Sequence, residues 1–190
     1  MWEQLQFAGF GLPGMDNVFF AVQPDEEGAE EVERRAFDLC DALGLKGRPM
    51  GKGRFHVTLH GIGTYDGVPQ DLIARAAEAA KLVEMPPFEV VFDRAMSFRR
   101  RSRKRPLVLV GRNDSLQALR RALEENLKRT GLGRGTGSSY TPHLTMLYDF
   151  GSVAERPVRP VGWIVSEFVL IHSLVGRGRY IRLGRWPLRG

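Results

Sequence analysis

The sequence of 190 residues holds a single cysteine, Cys40. No intramolecular disulfide can form, and a cysteine-based structural zinc site within the chain is excluded by count. A reducing cytoplasm suits such a chain, and Cys40, on a helical stripe with Leu43, reads as a small buried apolar residue. No apolar run approaches the roughly 20 residues of a membrane helix. Stretches such as 107–110 are strand-sized, so a soluble protein is expected. Residues 1–15 contain Glu3 but neither Lys nor Arg, and they lack the continuous apolar core of a secretory or transit segment. The Lys-x-Asp-Gly motif of ATP-driven nucleotidyl transfer is absent. The glycine-rich stretch 131–139 lacks the Gly-Lys-Ser/Thr ending of a phosphate-binding loop. No cofactor, metal or obligate protein partner is implied.

What is present is a hydrophobic fraction of 43%, ordinary for one folded unit, and an excess of positive charge: 28 Lys and Arg against 22 Asp and Glu. A net charge of +6 favours an anionic partner such as nucleic acid or a phosphorylated metabolite. The cations cluster. Residues 99–105 place six of them in seven positions, and 177–189 carry five arginines around Tyr180 and Trp186.

The apolar pattern predicts a strand over 17–22 and a helix opening near Glu26, capped by Asp25 and closed by Gly44. Strict alternation over 54–60 predicts a strand with Phe55, Val57 and Leu59 inward and Arg54, His56, Thr58 and His60 on the other face. A second helix is expected over 71–84. Strands over 88–98 and 106–110 then form a hairpin around the arginine run. Asp114 and Gln117 suggest a capping box for a third helix reaching towards Gly131. Strands over 142–147, 161–172 and 180–186 complete the chain.

Strand, helix and strand recur with an offset of about 87 or 88 residues, which predicts two similar lobes. At matching places in that repeat lie His56-Val57-Thr58 and His143-Leu144-Thr145. One His-x-Thr triplet carries almost no information. Two on equivalent strands suggest opposed halves of one site, the alternative being histidines that merely finish strands.

With Val18-Phe19-Phe20-Ala21-Val22, the two motif strands and the closing Leu183-Gly184-Arg185-Trp186-Pro187-Leu188, the chain resembles the 2H phosphoesterase superfamily. The resemblance is strongest to the branch of 2′-5′ RNA ligases and RNA 2′,3′-cyclic phosphodiesterases. It implies an α+β fold of two pseudo-symmetric lobes, with antiparallel sheets lining a central cleft and helices outside, over one bilobal domain, 1–190. It implies metal-independent hydrolysis of RNA 2′,3′-cyclic phosphate ends to a 2′-phosphomonoester, with 2′-5′ ligation as the reverse of such chemistry. Small cyclic nucleotides or ADP-ribose cyclic phosphate are alternative substrates, and a non-catalytic nucleotide- or RNA-binding module is the alternative class.

The chemistry fits the residue types. Opening a cyclic phosphate is an in-line displacement that needs a base on one side and an acid on the other, and imidazole serves as either near neutral pH. The resemblance gives the acid role to His56 and the base role to His143, while Thr58 and Thr145 offer hydroxyl donors to the phosphoryl oxygens. Arg54 and His60, on the same predicted face, and Tyr140, able to stack on a base, are candidate substrate contacts. One departure concerns Met146-Leu147-Tyr148, which lacks the arginine that many cyclic phosphodiesterases carry there.

Overall fold

The computed structural model describes residues 15–99, 103–133 and 140–190. The expectations for residues 1–14, and for 100–102 and 134–139 in the two loops, lie outside the described residues. Among the described residues, eight strands and three α-helices follow in the order β1 (Asp16–Val22), α1 (Glu26–Leu43), β2 (Val57–Tyr65), α2 (Gln70–Lys81), β3 (Phe88–Ser97), β4 (Arg105–Val110), α3 (Asp114–Arg129), β5 (His143–Asp149), β6 (Arg156–Val165), β7 (Glu167–Leu174) and β8 (Arg179–Pro187). A short 3-10 turn, Lys52–Arg54, precedes β2. The strands pair antiparallel in the order β6-β3-β4-β5-β2-β1-β7-β8, giving the expected α+β class.

Helix α1 shows how local sequence sets its ends. The Asp25 carboxylate accepts the Gly28 N–H at 2.8 Å, and Gly44 closes the helix in the left-handed region at φ 63°, where a side chain would be strained. For α3 the expected capping box does not form. Asn113 occupies the cap position, and its side-chain amide is committed to both backbone groups of Val91 on β3, each at 3.0 Å.

The repeat seen in the sequence is visible in the topology. β1-α1-β2 and β4-α3-β5 are equivalent hairpins with helical crossovers, meeting where β2 touches β5 at one pair, Val57 with Leu144. The helices cross over: α1 packs against β5 and β6 in the other lobe, and α3 packs against β2 and α2. Each of these helices thus covers strands of the opposite half of the sheet, within one continuous core. Val32, Ala36 and Leu39 of α1 and Leu116, Leu119, Leu123 and Leu127 of α3 supply these buried stripes.

The predicted strand over 161–172 is two strands, broken at Ser166: β6 pairs with β3, whereas β7 pairs with β1. Nothing in the continuous apolar pattern marks the break. It forces a shape, because five strands separate β6 from β7 in the sheet order and a flat sheet would hold them about 29 Å apart. A one-residue link spans roughly 7 Å. The sheet therefore curls until its two sides meet at Ser166, where the Leu188 N–H donates to the Ser166 carbonyl at 2.8 Å.

Each motif is followed by a β-bulge. Thr58 lies opposite Ala21 and His60 opposite Phe20, leaving Leu59 unmatched. Thr145 lies opposite Val108 and Leu147 opposite Leu107, leaving Met146 unmatched. A bulge inserts one residue and breaks the alternation of faces beyond it. Both motifs thus end at their threonines.

Candidate active site

Three residues beyond the αR-incompatible Gly51 (φ 88°), the chain leaves the 3-10 turn and enters β2 with His56 just ahead of the strand. Phe55, Val57 and Leu59 are buried in the main core, as their alternation predicts. His56 and Thr58 face away from that core, towards a small second cluster of Phe19, Ala21, Val169 and Ile171 with Tyr180 against it. On β5, Leu144 is buried in the main core while His143 and Thr145 take the opposite face.

The two imidazoles are held in the same way. His56 Nδ1 lies 2.7 Å from the Arg54 carbonyl oxygen, and His143 Nδ1 lies 2.9 Å from that of Thr141. A carbonyl only accepts, so in both rings Nδ1 carries the proton and donates it, leaving Nε2 as the nitrogen that can take up or release one. In each case the partner is two residues upstream, so the pseudo-symmetry extends to the tautomer.

Their surroundings keep both rings neutral. His56 is buried, with Phe19 at 5.1 Å and the edge-on Tyr180 at 5.4 Å between ring centroids. Burial pushes its pKa down from 6.5 to about 4; the Arg54 carbonyl opposes this, and the Arg54 guanidinium, with His143 whenever that ring is protonated, adds to it. His143, half-buried and 4.8 Å from the Phe98 ring, is also lowered by burial, with the Thr141 carbonyl pulling the other way. Thr145 is buried and Thr58 half-buried, and neither hydroxyl has a hydrogen-bond partner among the described residues.

Arg54 sits in the 3-10 turn instead of the strand, with its guanidinium 5.4 Å from the Tyr180 ring centroid and so beside His56. Burial pushes the Tyr180 phenol up, and Arg54 opposes that shift.

Two expected substrate contacts, His60 and Tyr140, have protein partners of their own. The bulge at Leu59 turns His60 away from the motif face, where it is buried with Nδ1 3.3 Å from the Glu124 carboxylate on α3. The Tyr140 hydroxyl donates to the Thr58 carbonyl at 2.8 Å, and the Arg120 guanidinium lies over one face of its ring at 4.5 Å. Phe19, Phe98 and Tyr180, which wrap the histidines, escape a sequence reading because they come from three distant strand regions. Tyr180, which lies inside the arginine-rich segment 177–189, is the one of the three that the charge pattern points towards.

The family model described as the 2′-5′ RNA ligase superfamily matches residues 24–176, a span that contains both motifs and their bulges. The chain belongs to the 2′-5′ RNA ligase superfamily. Solved structures agree. Escherichia coli LigT in its apo form is 26% identical, with a TM-score of 0.70 over 93% of this chain and 99% of LigT. A protein described only as a phosphoesterase is also 26% identical, with a TM-score of 0.69 over 92% of this chain and 99% of its own. TT0787 of Thermus thermophilus, at 17% identity and a TM-score of 0.70 over 92% of this chain and 98% of its own, shares the fold. No curated protein matches.

As a member of this superfamily the chain is a 2H phosphoesterase of LigT-like fold. Among the described residues no group of three or more His, Cys, Asp and Glu could hold a metal ion, and no helix is long and apolar enough to cross a membrane.

The buried histidines carry a stability consequence. His56 stays neutral in the folded chain down to about pH 4, whereas in the unfolded chain it takes up its proton near 6.5. Its contribution is therefore intact above 6.5 and is lost as the pH falls towards 4, by roughly 3 kcal/mol, because only the unfolded state binds the proton. His143 acts in the same direction. Urea melts at pH 7 and pH 4.5 should show the loss, and His56→Gln should reduce it; an identical pH dependence in the variant would refute the assignment.

Proposed function

We propose that the chain is a metal-independent cyclic phosphodiesterase that opens RNA 2′,3′-cyclic phosphate ends to 2′-phosphomonoesters. The observation that carries this reading is the matched pair of imidazoles, each with Nδ1–H fixed on a backbone carbonyl and Nε2 left for chemistry. Water attacks phosphorus in line with the departing 3′ oxygen. His143 Nε2 takes the proton from the water, and His56 delivers one to the 3′ oxygen. The two hydroxyls of Thr58 and Thr145 donate to the non-bridging oxygens as charge accumulates there.

Both histidines are neutral near pH 7, so the acid must acquire its proton with the substrate. The phosphodiester anion supplies the reason: a negative charge beside Nε2 raises the imidazole pKa. Arg54, next to His56, is the candidate phosphate contact in place of the arginine missing after the second motif. Retention of both histidines favours turnover over a purely binding role.

A second reading, small cyclic nucleotides or ADP-ribose cyclic phosphate as substrate, is favoured by the range of ligands in crystals of LigT, which include 3′-AMP, ATP and NADP+. The basic balance of this chain favours RNA. An oligonucleotide ending in a 2′,3′-cyclic phosphate should be opened to a 2′-phosphate in the presence of EDTA, at a higher kcat/KM than cyclic mononucleotides or ADP-ribose cyclic phosphate. Activity lost on chelation and restored by a divalent cation would defeat the metal-free mechanism, and a preference for the small substrates would decide for the second reading.

A further inference from the structure

His60 and Tyr140 belong to a chain of polar contacts that grips the first bulge from both ends. Tyr140 donates to the carbonyl of Thr58, the residue just before Leu59. Arg120 lies over the Tyr140 ring and pairs with Glu124 one helical turn further along α3, at 2.7 Å. Glu124 in turn meets His60, the residue just after Leu59, at 3.3 Å. These groups are withdrawn from water, with side-chain exposures of 12% for Arg120, 17% for Glu124 and 2% for His60. A polar network in such surroundings holds its members in one arrangement.

The other bulge is gripped differently. There the Met50 N–H donates to the carbonyl of the bulged Met146 at 2.9 Å, Pro49 bridges to Leu147, and Leu147, the counterpart of His60, is buried in the apolar core. Backbone therefore fixes the second motif, whereas side chains fix the first. β2 and β5 pair at one position only, Val57 with Leu144, so no strand ladder ties Thr58 itself to β5. Tyr140 spans that gap, and it stands three residues before His143.

We propose that Tyr140 is a positioning residue that registers the first motif against the second, braced by Arg120, Glu124 and His60. Its hydroxyl fixes the backbone that carries Thr58 and, two residues earlier, His56, so that both face His143 at the separation an in-line displacement needs. None of the four touches the substrate. The turnover arm of the test rests on the cyclic-phosphate reading, and a second arm does not.

Tyr140→Phe removes the hydroxyl and little else. On a cyclic-phosphate substrate it should lower kcat about 10- to 100-fold with KM within about twofold, the signature of misplaced groups instead of a lost contact. Glu124→Gln should act in the same direction, and the double variant should be no slower than the slower single one, because both cut one device. Independently of any substrate, histidine-ring NMR of Tyr140→Phe should show the His56 titration midpoint moved up by about half a unit or more, as a loosened strand admits water. A wild-type protein inactive on cyclic phosphates, combined with that shift in the variant, would refute the substrate and support the positioning role. Wild-type kcat together with an unmoved midpoint in Tyr140→Phe would overturn the proposal. So would a raised KM at unchanged kcat, which would make Tyr140 a substrate contact.

Discussion

Replacing His56 or His143 with alanine is expected to slow opening of a 2′,3′-cyclic phosphate by about 10²- to 10⁴-fold, the range of a lost general acid or base. The two act on one displacement, so the double variant should be scarcely slower than either single one. Loss of the His56 ring also leaves a cavity against Phe19 and Tyr180, so a stability cost is expected beside the kinetic one. Each imidazole is uncharged at neutral pH, and its one hydrogen bond among the described residues is to a carbonyl two residues away. Single-turnover kinetics beside thermal melts separate the two effects, and near-normal turnover in either alanine variant would sink the paired mechanism.

The threonines should give the next largest effect. Thr58→Val and Thr145→Val are each expected to lower kcat about 10²- to 10³-fold, the cost of one preorganised donor to the developing charge. Neither hydroxyl bonds to a protein acceptor among the described residues, so valine breaks no internal hydrogen bond and melting should change little. A comparable loss from both would follow from the pseudo-symmetry of the two strands. Turnover preserved in the valine variants, measured with excess enzyme, would remove the hydroxyls from the mechanism.

The parts of the molecule legible in the sequence are those decided by neighbours along the chain. Asp25 and Gly44 mark the ends of α1 because capping is local, and the alternation of Phe55, Val57 and Leu59 places the first motif on the outer face. The repeat of strand, helix and strand is likewise readable, since duplication leaves equal spacings. What escapes depends on contacts between distant segments. His60 follows the alternation rule on paper, but the bulge at Leu59 exists only in pairing with β1, and that pairing turns the ring towards α3. Tyr140 looks like a stacking platform until the Thr58 carbonyl, 82 positions away, claims its hydroxyl. Asn113 leaves its helix uncapped because Val91 on β3 makes a stronger demand on its amide. The break at Ser166 has no local mark, because one apolar pattern serves two strands on opposite sides of a curled sheet.

The exchange of helices between the lobes bears on how such a molecule could arise. A chain with a single strand-helix-strand unit would leave much of its sheet uncovered and much of its helix's apolar stripe without a partner. A second copy would satisfy both needs by reciprocal exchange, and such a swapped dimer would bring one His-x-Thr strand from each copy to a shared two-fold axis. Fusion of the two genes would then retain the geometry while freeing each half to diverge. The side-chain grip on one bulge and the backbone grip on the other are the kind of difference that such divergence would leave.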